Sequence, residues 1–284
     1  MSWLDATWNP DSVEGRSQVM QFLEDVGEPP SETAACADLR SKPEWFWIDR
    51  MFISTRDGNE DSSFEEQERE AFESGPEGAK CIRLPSRREG VGWGSGLHPA
   101  THLLCCWLQT SSLRARLGAD VRLCDYGSGS GILALTACAL SEEITAFGVD
   151  IEPTAVEGAN QNAVANGVSS RCNFFLPSRS VLSQDESFQE RFGGVDALAA
   201  YPLLPEDATA FDIVISNLWP HVQCAMAATV ATMLKPGGLL AVGGLHMNRI
   251  DEVIQAYAEA GVALRLDSRD NRGGGWALLS NLAE

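Results

Sequence analysis

The sequence contains the run Asp125-Tyr126-Gly127-Ser128-Gly129-Ser130-Gly131, which follows an apolar, strand-like segment around Leu123 and precedes a helix-like segment from Ile132 to Leu140. Glycine lets the backbone turn sharply and approach a ligand without interference from a Cβ atom. A helix that begins just after such a turn offers unpaired backbone N–H groups. The run therefore predicts a loop that holds a nucleotide-like ligand, although a simple turn rich in Gly and Ser has the same composition.

The spacing of the glycines indicates which ligand the loop holds. The dinucleotide-binding pattern is G-x-G-x-x-G, whereas this loop reads D-x-G-x-G-x-G. This register disfavours a nicotinamide-dependent oxidoreductase. We expect an S-adenosylmethionine site in a Rossmann-like sheet, formed in part by Asp125, Gly127, Gly129 and Gly131.

A second acid follows the next predicted strand. The short apolar run from Ile144 to Val149 ends at Asp150, about 20 residues beyond the glycines. In nucleotide-binding sheets, a carboxylate in this place accepts hydrogen bonds from the ribose hydroxyls. Asp150 is the candidate for that role. An acid here can also cap the following helix, a role that Glu152 can fill instead.

Charge and composition narrow the choice of partner. The chain of 284 residues is 44% hydrophobic, enough for a full-sized core, and its formal net charge is −19 with a pI of about 4.5. So acidic a surface repels a phosphate backbone, which disfavours nucleic acid as a substrate. It suits a basic protein partner, and solubility alone explains the charge equally well.

The spacing of cysteines and histidines and the length of apolar stretches bear on localisation and on metal binding. The eight cysteines are scattered without a C-x-x-C pair, and residues 1–15 lack the basic and apolar regions of a signal peptide. No apolar stretch reaches the ~18 residues of a membrane span. We expect free thiols in the cytoplasm, or in the nucleus, and no membrane partner. His98 and His102 lie four positions apart, but no third ligand has suitable spacing, so we expect no metal.

Strand and helix patterns alternate from Cys81 onward. This alternation predicts an α/β fold with a Rossmann-like, seven-stranded, mostly parallel sheet. The last two strands are separated by too few residues for a crossover helix, so they should form a C-terminal antiparallel hairpin. The predicted strands are 121–126, 144–150, 171–176, 211–216, 238–243, 262–267 and 275–280, and the predicted helices are 99–116, 131–140, 153–166, 220–234 and 247–260.

The N-terminal part has a different pattern. We expect residues 1–80 to form an extension with an acidic linker, and residues 81–284 to form the cofactor-binding domain. Residues 13–26 predict a helix, and the aromatic residues 45–53 predict a strand or a hydrophobic flap. Residues 57–78 predict a solvated linker or a loosely held helix.

Polar and aromatic residues follow the fourth predicted strand. This strand, Phe211 to Ser216, ends in Asn217-Leu218-Trp219-Pro220. An amide at the carboxyl end of a central strand points into the ligand crevice, where it can accept from an amine and donate to a carboxylate or carbonyl. We expect Asn217 to act in catalysis and Trp219 to wall the methyl acceptor. Alternatively, Asn217 only caps the next helix and Trp219 only packs.

Five motifs in order resemble one known family. They are G-W-G-S-G-L-H-P-A-T at 92–101, D-Y-G-S-G-S-G-I-L-A at 125–134, G-V-D-I-E-P-T-A at 148–155, V-I-S-N-L at 214–218 and P-G-G-L-L-A-V-G-G-L at 236–245. Together they resemble the PrmA-type ribosomal-protein methyltransferases of the class I S-adenosylmethionine-dependent superfamily, over roughly residues 81–284.

The resemblance implies that Thr101, Gly127, Asp150 and Asn217 contact the cofactor. The sequence departs from the family's pattern at Trp93, Ser95, Leu97, Ala100, Ser128 and Trp219-Pro220. The family also has an N-terminal substrate-recognition domain, a ferredoxin-like β-α-β unit, which the pattern of residues 1–80 does not predict.

The expected function is methyl transfer from S-adenosylmethionine to a protein nitrogen, of a lysine or an N-terminal amine, with Asn217 and Trp219 as catalytic residues. One alternative is a small-molecule methyltransferase, with a substrate enclosed by Trp93, Trp219 and an insert at residues 177–210, which is longer than a tight connection needs. The other is a non-catalytic scaffold that binds the cofactor and docks a partner through its acidic N-terminal half.

Overall fold

A computed structural model describes residues 45–55, 62–85, 98–115, 119–184, 190–194, 200–205, 208, 210–271 and 275–282. The predicted helix at 13–26 and the glycine-rich residues 92–97 lie outside this part of the chain. The seven cysteines within it are free thiols. Over the same residues, every helix is too short or too polar to cross a membrane.

The strands and helices have the following bounds. The strands are β1 Trp45–Ile48, β2 Met51–Ser54, β3 Lys80–Arg83, β4 Val121–Tyr126, β5 Ile144–Val149, β6 Cys172–Phe175, β7 Phe211–Asn217, β8 Leu234–His246, β9 Arg265–Asp270 and β10 Trp276–Ser280. The helices are α1 Ser62–Glu73, α2 Pro99–Leu108, α3 Ser111–Arg114, α4 Ile132–Leu140, α5 Pro153–Ala165, α6 Arg179–Gln184, α7 Pro220–Met233 and α8 Ile250–Glu259, with a 3₁₀ turn at Met247–Arg249.

Seven strands form the large sheet, in the spatial order β6-β5-β4-β7-β8-β10-β9. The strands from β4 to β8 are parallel to their neighbours, and β10 is antiparallel to both β8 and β9. The predicted Rossmann-like, mostly parallel sheet with an antiparallel C-terminal hairpin is therefore confirmed. Because β4 lies between β5 and β7, the chain reverses direction across the sheet at β4, the position at which open α/β sheets bind ligands.

The predicted strand at 262–267 begins three residues late, at Arg265. Gly261, with φ +87°, ends α8 in a left-handed conformation, and the N–H of Val262 donates to the carbonyl oxygen of Tyr257 over 2.8 Å. This is the Schellman arrangement that satisfies the last carbonyl groups of a helix. The helix end therefore uses residues that β propensity alone would assign to the strand.

The predicted helix at 99–116 is also divided, into α2 and α3. The break lies at Gln109 and Thr110, where Thr110 is extended, with φ −65° and ψ 145°, and stands at the N-cap of α3. The hydroxyl of Thr110 donates to the carbonyl oxygen of Trp107 over 2.8 Å. Local hydrogen bonding by a Thr side chain competes with helix continuation, which accounts for the break.

The N-terminal residues form a small three-stranded sheet in the order β1-β2-β3. β1 and β2 are an antiparallel hairpin, and β3 is parallel to β2 and connected to it through α1. The aromatic stretch predicted as a strand or flap is thus a hairpin, and the segment predicted as a linker or loose helix contains α1. The sequence pattern did not predict this β2-α1-β3 unit. Phe72 of α1 stacks on Trp47, with ring centroids 6.2 Å apart.

The small sheet shares a core with the large one. Ile48, Ile53 and Ile82 belong to the same cluster of buried side chains as Leu104 of α2 and Leu133 of α4. Burial of a full Ile or Leu side chain contributes about 1.5–3 kcal/mol. The expected boundary between residues 80 and 81 falls within β3, and that division stays a prediction.

Two side-chain amides join the sheets by hydrogen bonds. Gln109, at the end of α2, donates to the carbonyl oxygen of Ile48 over 3.1 Å and accepts from the N–H of Arg50 over 3.0 Å. Asn166, at the end of α5, donates to the carbonyl oxygen of Arg83 over 2.6 Å and accepts from its N–H over 2.9 Å. Each amide thereby substitutes for a backbone partner, and the two attach the small sheet at separate points.

Candidate active site

A cavity of about 210 Å³ lies at the carboxyl ends of β4, β5 and β7. Six residues predicted for the site line it: Thr101, Gly127, Gly129, Asp150, Asn217 and Trp219. Its other lining residues are His98, Ser128, Ile132, Leu133, Leu218, Gly244 and Trp276. The structure therefore brings residues from widely separated stretches of sequence to one edge of the sheet.

The glycine loop turns tightly over the end of β5. The N–H groups of Gly127 and Ser128 both donate to the carbonyl oxygen of Val149, over 2.8 and 3.0 Å. Gly127 has φ +85°, and a Cβ atom built on it would lie 2.4 Å from Cδ2 of Leu218. A side chain at Gly127 is thus excluded both by backbone strain and by space.

Gly131 lies behind this loop, outside the cavity lining. It stands at the N-cap of α4 with φ +80°, and a Cβ atom there would lie 2.4 Å from the ring of Phe174. Its absent side chain lets α4 pack against β6. Contact of Gly131 with a cofactor stays a prediction.

Asp125 is fully buried beneath the loop and does not line the cavity. Its Oδ2 accepts from the N–H of Ala134 over 3.2 Å, in the first turn of α4. Burial raises the pKa of Asp125 to about 7, and the nearby charge of Asp150 adds to the rise. Its contact with a cofactor also stays a prediction.

The Asp150 carboxylate connects the end of β5 to the glycine loop. Its Oδ2 accepts from the N–H of Gly129 over 2.8 Å, and its Oδ1 accepts from the N–H of Glu152 over 2.9 Å. Burial raises the pKa of Asp150, and these backbone donors oppose the rise. Glu152 occupies the N-cap position of α5 without a capping bond from its side chain. A carboxylate oxygen accepts more than one hydrogen bond, so Asp150 can still accept from a ligand hydroxyl.

Asn217 does not cap the helix that follows it. The N-cap residue of α7 is Trp219, which makes no capping bond through its side chain. Instead, Nδ2 of Asn217 donates to Oγ1 of Thr101 over 3.0 Å. This contact joins two predicted site residues directly at the cavity.

An aromatic cluster lines the cavity beside α2. The ring of Trp276 packs against those of His98 and His246, with centroid distances of 4.3 and 3.9 Å. Burial lowers the pKa of His98 to about 4, and the charge of His246 contributes. The His98 ring is therefore neutral at neutral pH, and its Nδ1 accepts from the N–H of Ala100 over 3.3 Å. Within the described ranges, no three His, Cys, Asp or Glu side chains meet in a group that could hold a metal ion.

Gly244 and Trp276 are lining residues that the sequence reasoning missed. Gly244 has φ +78°, and a Cβ atom on it would lie 2.4 Å from the carbonyl oxygen of Leu218. A Gly pair inside an apolar strand, as at Gly243-Gly244, is the available signal for such close backbone approach. Trp276 starts β10, and an antiparallel strand starts at the edge where its parallel neighbours end, which is where this site lies.

A buried polar atom of the cavity lining suits a polar ligand. Oγ of Ser128 is buried and has no hydrogen-bond partner among the described residues. Such atoms are normally satisfied by protein, water or ligand. The tight glycine loop and Asp150 complete a cradle that fits the polar parts of a nucleoside cofactor. The strand order and this cradle define the class of the domain as a class I S-adenosylmethionine-dependent methyltransferase fold.

The family follows from comparison with known proteins. The family model described as "Ribosomal protein L11 methyltransferase (PrmA)" matches residues 73–282. The chain belongs to this family.

Individual relatives agree with that membership. A ribosomal protein L11 methyltransferase of Hamiltonella defensa is 33% identical over 171 residues, which cover 60% of this chain and 46% of that protein. One from Photorhabdus laumondii is 26% identical over 277 residues, covering 91% of this chain and 82% of that protein. The chain thus spans about half the length of the first relative.

The crystal structure of a ribosomal protein L11 methylase from Lactobacillus delbrueckii subsp. bulgaricus resembles this fold. The TM-score is 0.55 at 18% sequence identity, and the match covers 85% of this chain and 99% of that one. At this identity the likeness concerns the fold alone.

Proposed function

We propose that the chain is an S-adenosylmethionine-dependent methyltransferase that acts on a protein nitrogen, the amine of a lysine side chain or of an N-terminus. The observation that carries this proposal is the meeting of the glycine loop, Asp150 and the Asn217–Thr101 pair at one cavity of a methyltransferase fold. Membership of a family named for methylation of a ribosomal protein supports a protein acceptor.

Residues of the cradle would hold the cofactor. When bound, S-adenosylmethionine supplies a methyl group that its sulfonium makes electrophilic. Gly127 and Gly129 offer backbone close to the cavity, and the Asp150 carboxylate would accept hydrogen bonds from ribose hydroxyls. The Thr101 hydroxyl accepts from Asn217 and so keeps its own proton for donation to the ligand.

Asn217 and Trp219 would position the methyl acceptor. The carbonyl oxygen of Asn217 can accept from an amine, and thereby hold the acceptor nitrogen in line for attack. Such orientation contributes on the order of 7–11 kcal/mol where the geometry is good. Trp219 and Trp276 offer apolar faces that exclude water from the acceptor.

The acceptor amine must be neutral to attack, and no dedicated base is needed if it enters unprotonated. Burial beside a positive sulfonium lowers the pKa of an amine, in the direction that favours the neutral form. His98 is neutral at neutral pH and therefore adds no further positive charge that would oppose the cofactor.

We also propose that the methylated nitrogen lies on a basic protein surface and that the methyltransferase acts in the cytoplasm. The net charge of −19 supports attraction to a basic partner and disfavours nucleic acid. The relatives named above are bacterial ribosomal protein methyltransferases, which supports the cytoplasm and gives no support to the nucleus. We retain residues 81–284 as the proposed methyltransferase domain and residues 1–80 as its N-terminal extension.

Transfer of a labelled methyl group tests the proposal. The protein is incubated with methyl-labelled S-adenosylmethionine and either purified ribosomal proteins or a protein-free metabolite fraction. We expect label in a basic protein, on an amine nitrogen. Label in metabolites alone would establish the small-molecule alternative, and cofactor binding without transfer to either fraction would establish the scaffold alternative.

A further inference from the structure

Gln223 lies in the first turn of α7 and is fully buried. Its Nε2 donates to the carbonyl oxygens of Ser216 and Gly243, over 3.1 and 3.2 Å. Its Oε1 accepts from the hydroxyls of Ser216 and Tyr257, over 3.2 and 2.9 Å. A primary amide has two donor hydrogens and two acceptor lone pairs, so these four bonds use its full capacity.

The partners of this amide lie next to the cavity. Ser216 directly precedes Asn217, and Gly243 directly precedes Gly244, while Asn217 and Gly244 both line the cavity. Asn217 and Gly243 form the last paired position between β7 and β8. The Gln223 amide therefore bridges the two strand ends one residue before each of them reaches the site.

The backbone of β8 is irregular beside Gly243, the residue of β8 that the Gln223 amide binds. Gly244 has φ +78°, and the pairing of β8 with β10 shifts register between Ala277 and Leu279. A regular ladder holds neighbouring strands by repeated backbone bonds, and an irregularity interrupts that repeat. The interruption lies between β8 and β10, and on the other side of β8 the bonds of Gln223 to Ser216 and Gly243 reinforce the last paired positions with β7.

Tyr257, from α8, fixes the orientation of the amide. Its hydroxyl donates to Oε1 of Gln223, and burial raises the pKa of Tyr257, so the phenol keeps its proton. The oxygen of the amide is thereby directed to Tyr257 and the Ser216 hydroxyl. Its nitrogen is left to face the two strand carbonyl groups.

We propose that Gln223, oriented by Tyr257, is a positioning residue for methyl transfer that sets the separation of the β7 and β8 ends and so aligns the Asn217 amide. This inference rests on the proposed methyltransferase function. Gln223 acts through Asn217 and does not touch the ligand cavity. Misalignment should slow transfer more than it weakens cofactor binding, because orientation matters chiefly in the transition state.

The test compares two side-chain amides that bind the same strand, β8. Gln223→Met keeps the length of the side chain and removes its four hydrogen bonds. The matched control is Asn281→Leu, since Asn281 binds the opposite end of β8, donating to the carbonyl oxygen of Gly238 over 3.0 Å and accepting from the N–H of Leu240 over 2.7 Å. Both variants lose side-chain hydrogen bonds to β8, but only Gln223 lies beside the site.

Three measurements are made on the full chain. They are the rate of labelled methyl transfer to ribosomal proteins, the calorimetric affinity for S-adenosylhomocysteine, and the NMR signal of the Asn217 side-chain amide, assigned with Asn217→Ala. For Gln223→Met we expect a rate about tenfold or more lower per folded molecule, an affinity within about threefold of wild type, and a displaced Asn217 signal. Asn281→Leu should lower the melting temperature and leave the rate and the signal unchanged.

An unchanged rate per folded molecule, or an unmoved Asn217 signal in Gln223→Met, would overturn the proposal. If Gln223→Met does not fold, Tyr257→Phe replaces it, with a rate about threefold lower and a smaller displacement of the same signal expected; no change in either would again overturn it. If the wild-type protein transfers no methyl group, the proposed function fails by itself. The Asn217 signal then still decides whether Gln223 positions that amide.

Discussion

Asn217 and Thr101 are 116 positions apart in the chain, and a 3.0 Å hydrogen bond from Nδ2 of Asn217 to Oγ1 of Thr101 joins them at the cavity. The bond connects the end of β7 to the first turn of α2. The bond restricts the rotamers of both side chains, because Asn217 supplies its donor and Thr101 its acceptor. The amide keeps one N–H and its carbonyl oxygen, and the oxygen is the group suited to an incoming amine.

Replacement of Asn217 by Ala should slow methyl transfer more than it weakens binding. We expect a rate lower by about tenfold or more, with affinity for S-adenosylhomocysteine within about threefold of wild type. Loss of the bond to Thr101 should lower the free energy of unfolding by about 1 kcal/mol. Single-turnover transfer, calorimetry and denaturant unfolding measure the three effects. A lower melting temperature with unchanged activity per folded molecule would leave Asn217 without a role in catalysis.

Replacement of Asp150 by Ala should weaken cofactor binding directly. Charge-assisted hydrogen bonds to ribose contribute about 1.5–3 kcal/mol, so affinity for S-adenosylmethionine and its demethylated product should fall by about ten- to a hundredfold. Calorimetry measures this loss. Asp212→Ala is the control, since Asp212 is the second residue of β7, at the opposite edge of the sheet, and pairs there with Lys235 over 2.8 Å. Equal affinities for wild type and Asp150→Ala would remove Asp150 from the cofactor site.

Trp219 should determine which acceptor is methylated. Because its indole lines the cavity beside Asn217, Trp219→Ala enlarges the acceptor end and removes an apolar wall. We expect the ratio of methylation rates for different protein acceptors to change by about tenfold, with cofactor affinity near wild type. Competition between two labelled acceptors in one reaction measures the ratio. An unchanged ratio together with reduced stability would show that Trp219 only packs.

Two glycines of β8 separate the effect of backbone strain from that of crowding. Gly237 and Gly244 have nearly equal φ values, +79° and +78°, but a Cβ atom meets nothing within 4 Å at Gly237 and lies 2.4 Å from the Leu218 carbonyl oxygen at Gly244. Gly237→Ala should cost about 1–2 kcal/mol of stability from the left-handed conformation alone. Gly244→Ala should cost a further 1–3 kcal/mol, by rough estimate, and weaken cofactor binding, since Leu218 lines the cavity. Urea unfolding measures the loss of stability in each variant, and calorimetry measures cofactor affinity. Equal losses of stability in Gly237→Ala and Gly244→Ala would contradict the effect of crowding.

Asp125 should make the stability of the cofactor-free protein depend on pH. Burial raises the pKa of Asp125 to about 7 in the folded state, whereas the pKa of the same carboxyl in the unfolded chain is near its ordinary value of 3.8. The folded protein therefore binds the proton of Asp125 more tightly than the unfolded chain does. The stability that this protonation contributes is complete below about pH 4 and is lost as the pH rises through about 7. Asp125→Asn lacks this titration. From pH 4 to 8, the unfolding free energy of wild type should fall relative to that of Asp125→Asn by on the order of 2–4 kcal/mol; a difference independent of pH would contradict the assignment.

The meeting of the glycine loop, Asp150 and Asn217 at one cavity was predictable, because it depends on local spacing. The glycines of the loop need backbone freedom, and Asp150 and Asn217 directly follow apolar strands. The carboxyl ends of parallel strands meet at one edge, so these residues had to lie close together. Thr101 was predicted only through the family resemblance, since nothing in the spacing of α2 indicates that its first turn meets β7.

The small N-terminal sheet was not predictable for a physical reason. Its strands β1, β2 and β3 have four residues each, and α1 is rich in glutamate. Such short elements have little intrinsic stability, and contacts such as Phe72 on Trp47 supply it from distant parts of the chain. Trp276 was missed for a related reason, because its place beside His98 depends on the insertion of β10 between β8 and the edge strand β9.

The hydrogen bonds of Gln109 to the turn between β1 and β2 attach the C-terminal end of α2 to the small sheet. This helix of ten residues is about 15 Å long, with the small sheet bonded at one end and Thr101 and His98 at the other. A displacement of the small sheet would be transmitted along this rigid helix to the mouth of the cavity. Removal of that sheet would therefore free the C-terminal end of α2, and Thr101 and His98 at its N-terminal end would lose part of their support without having been altered themselves.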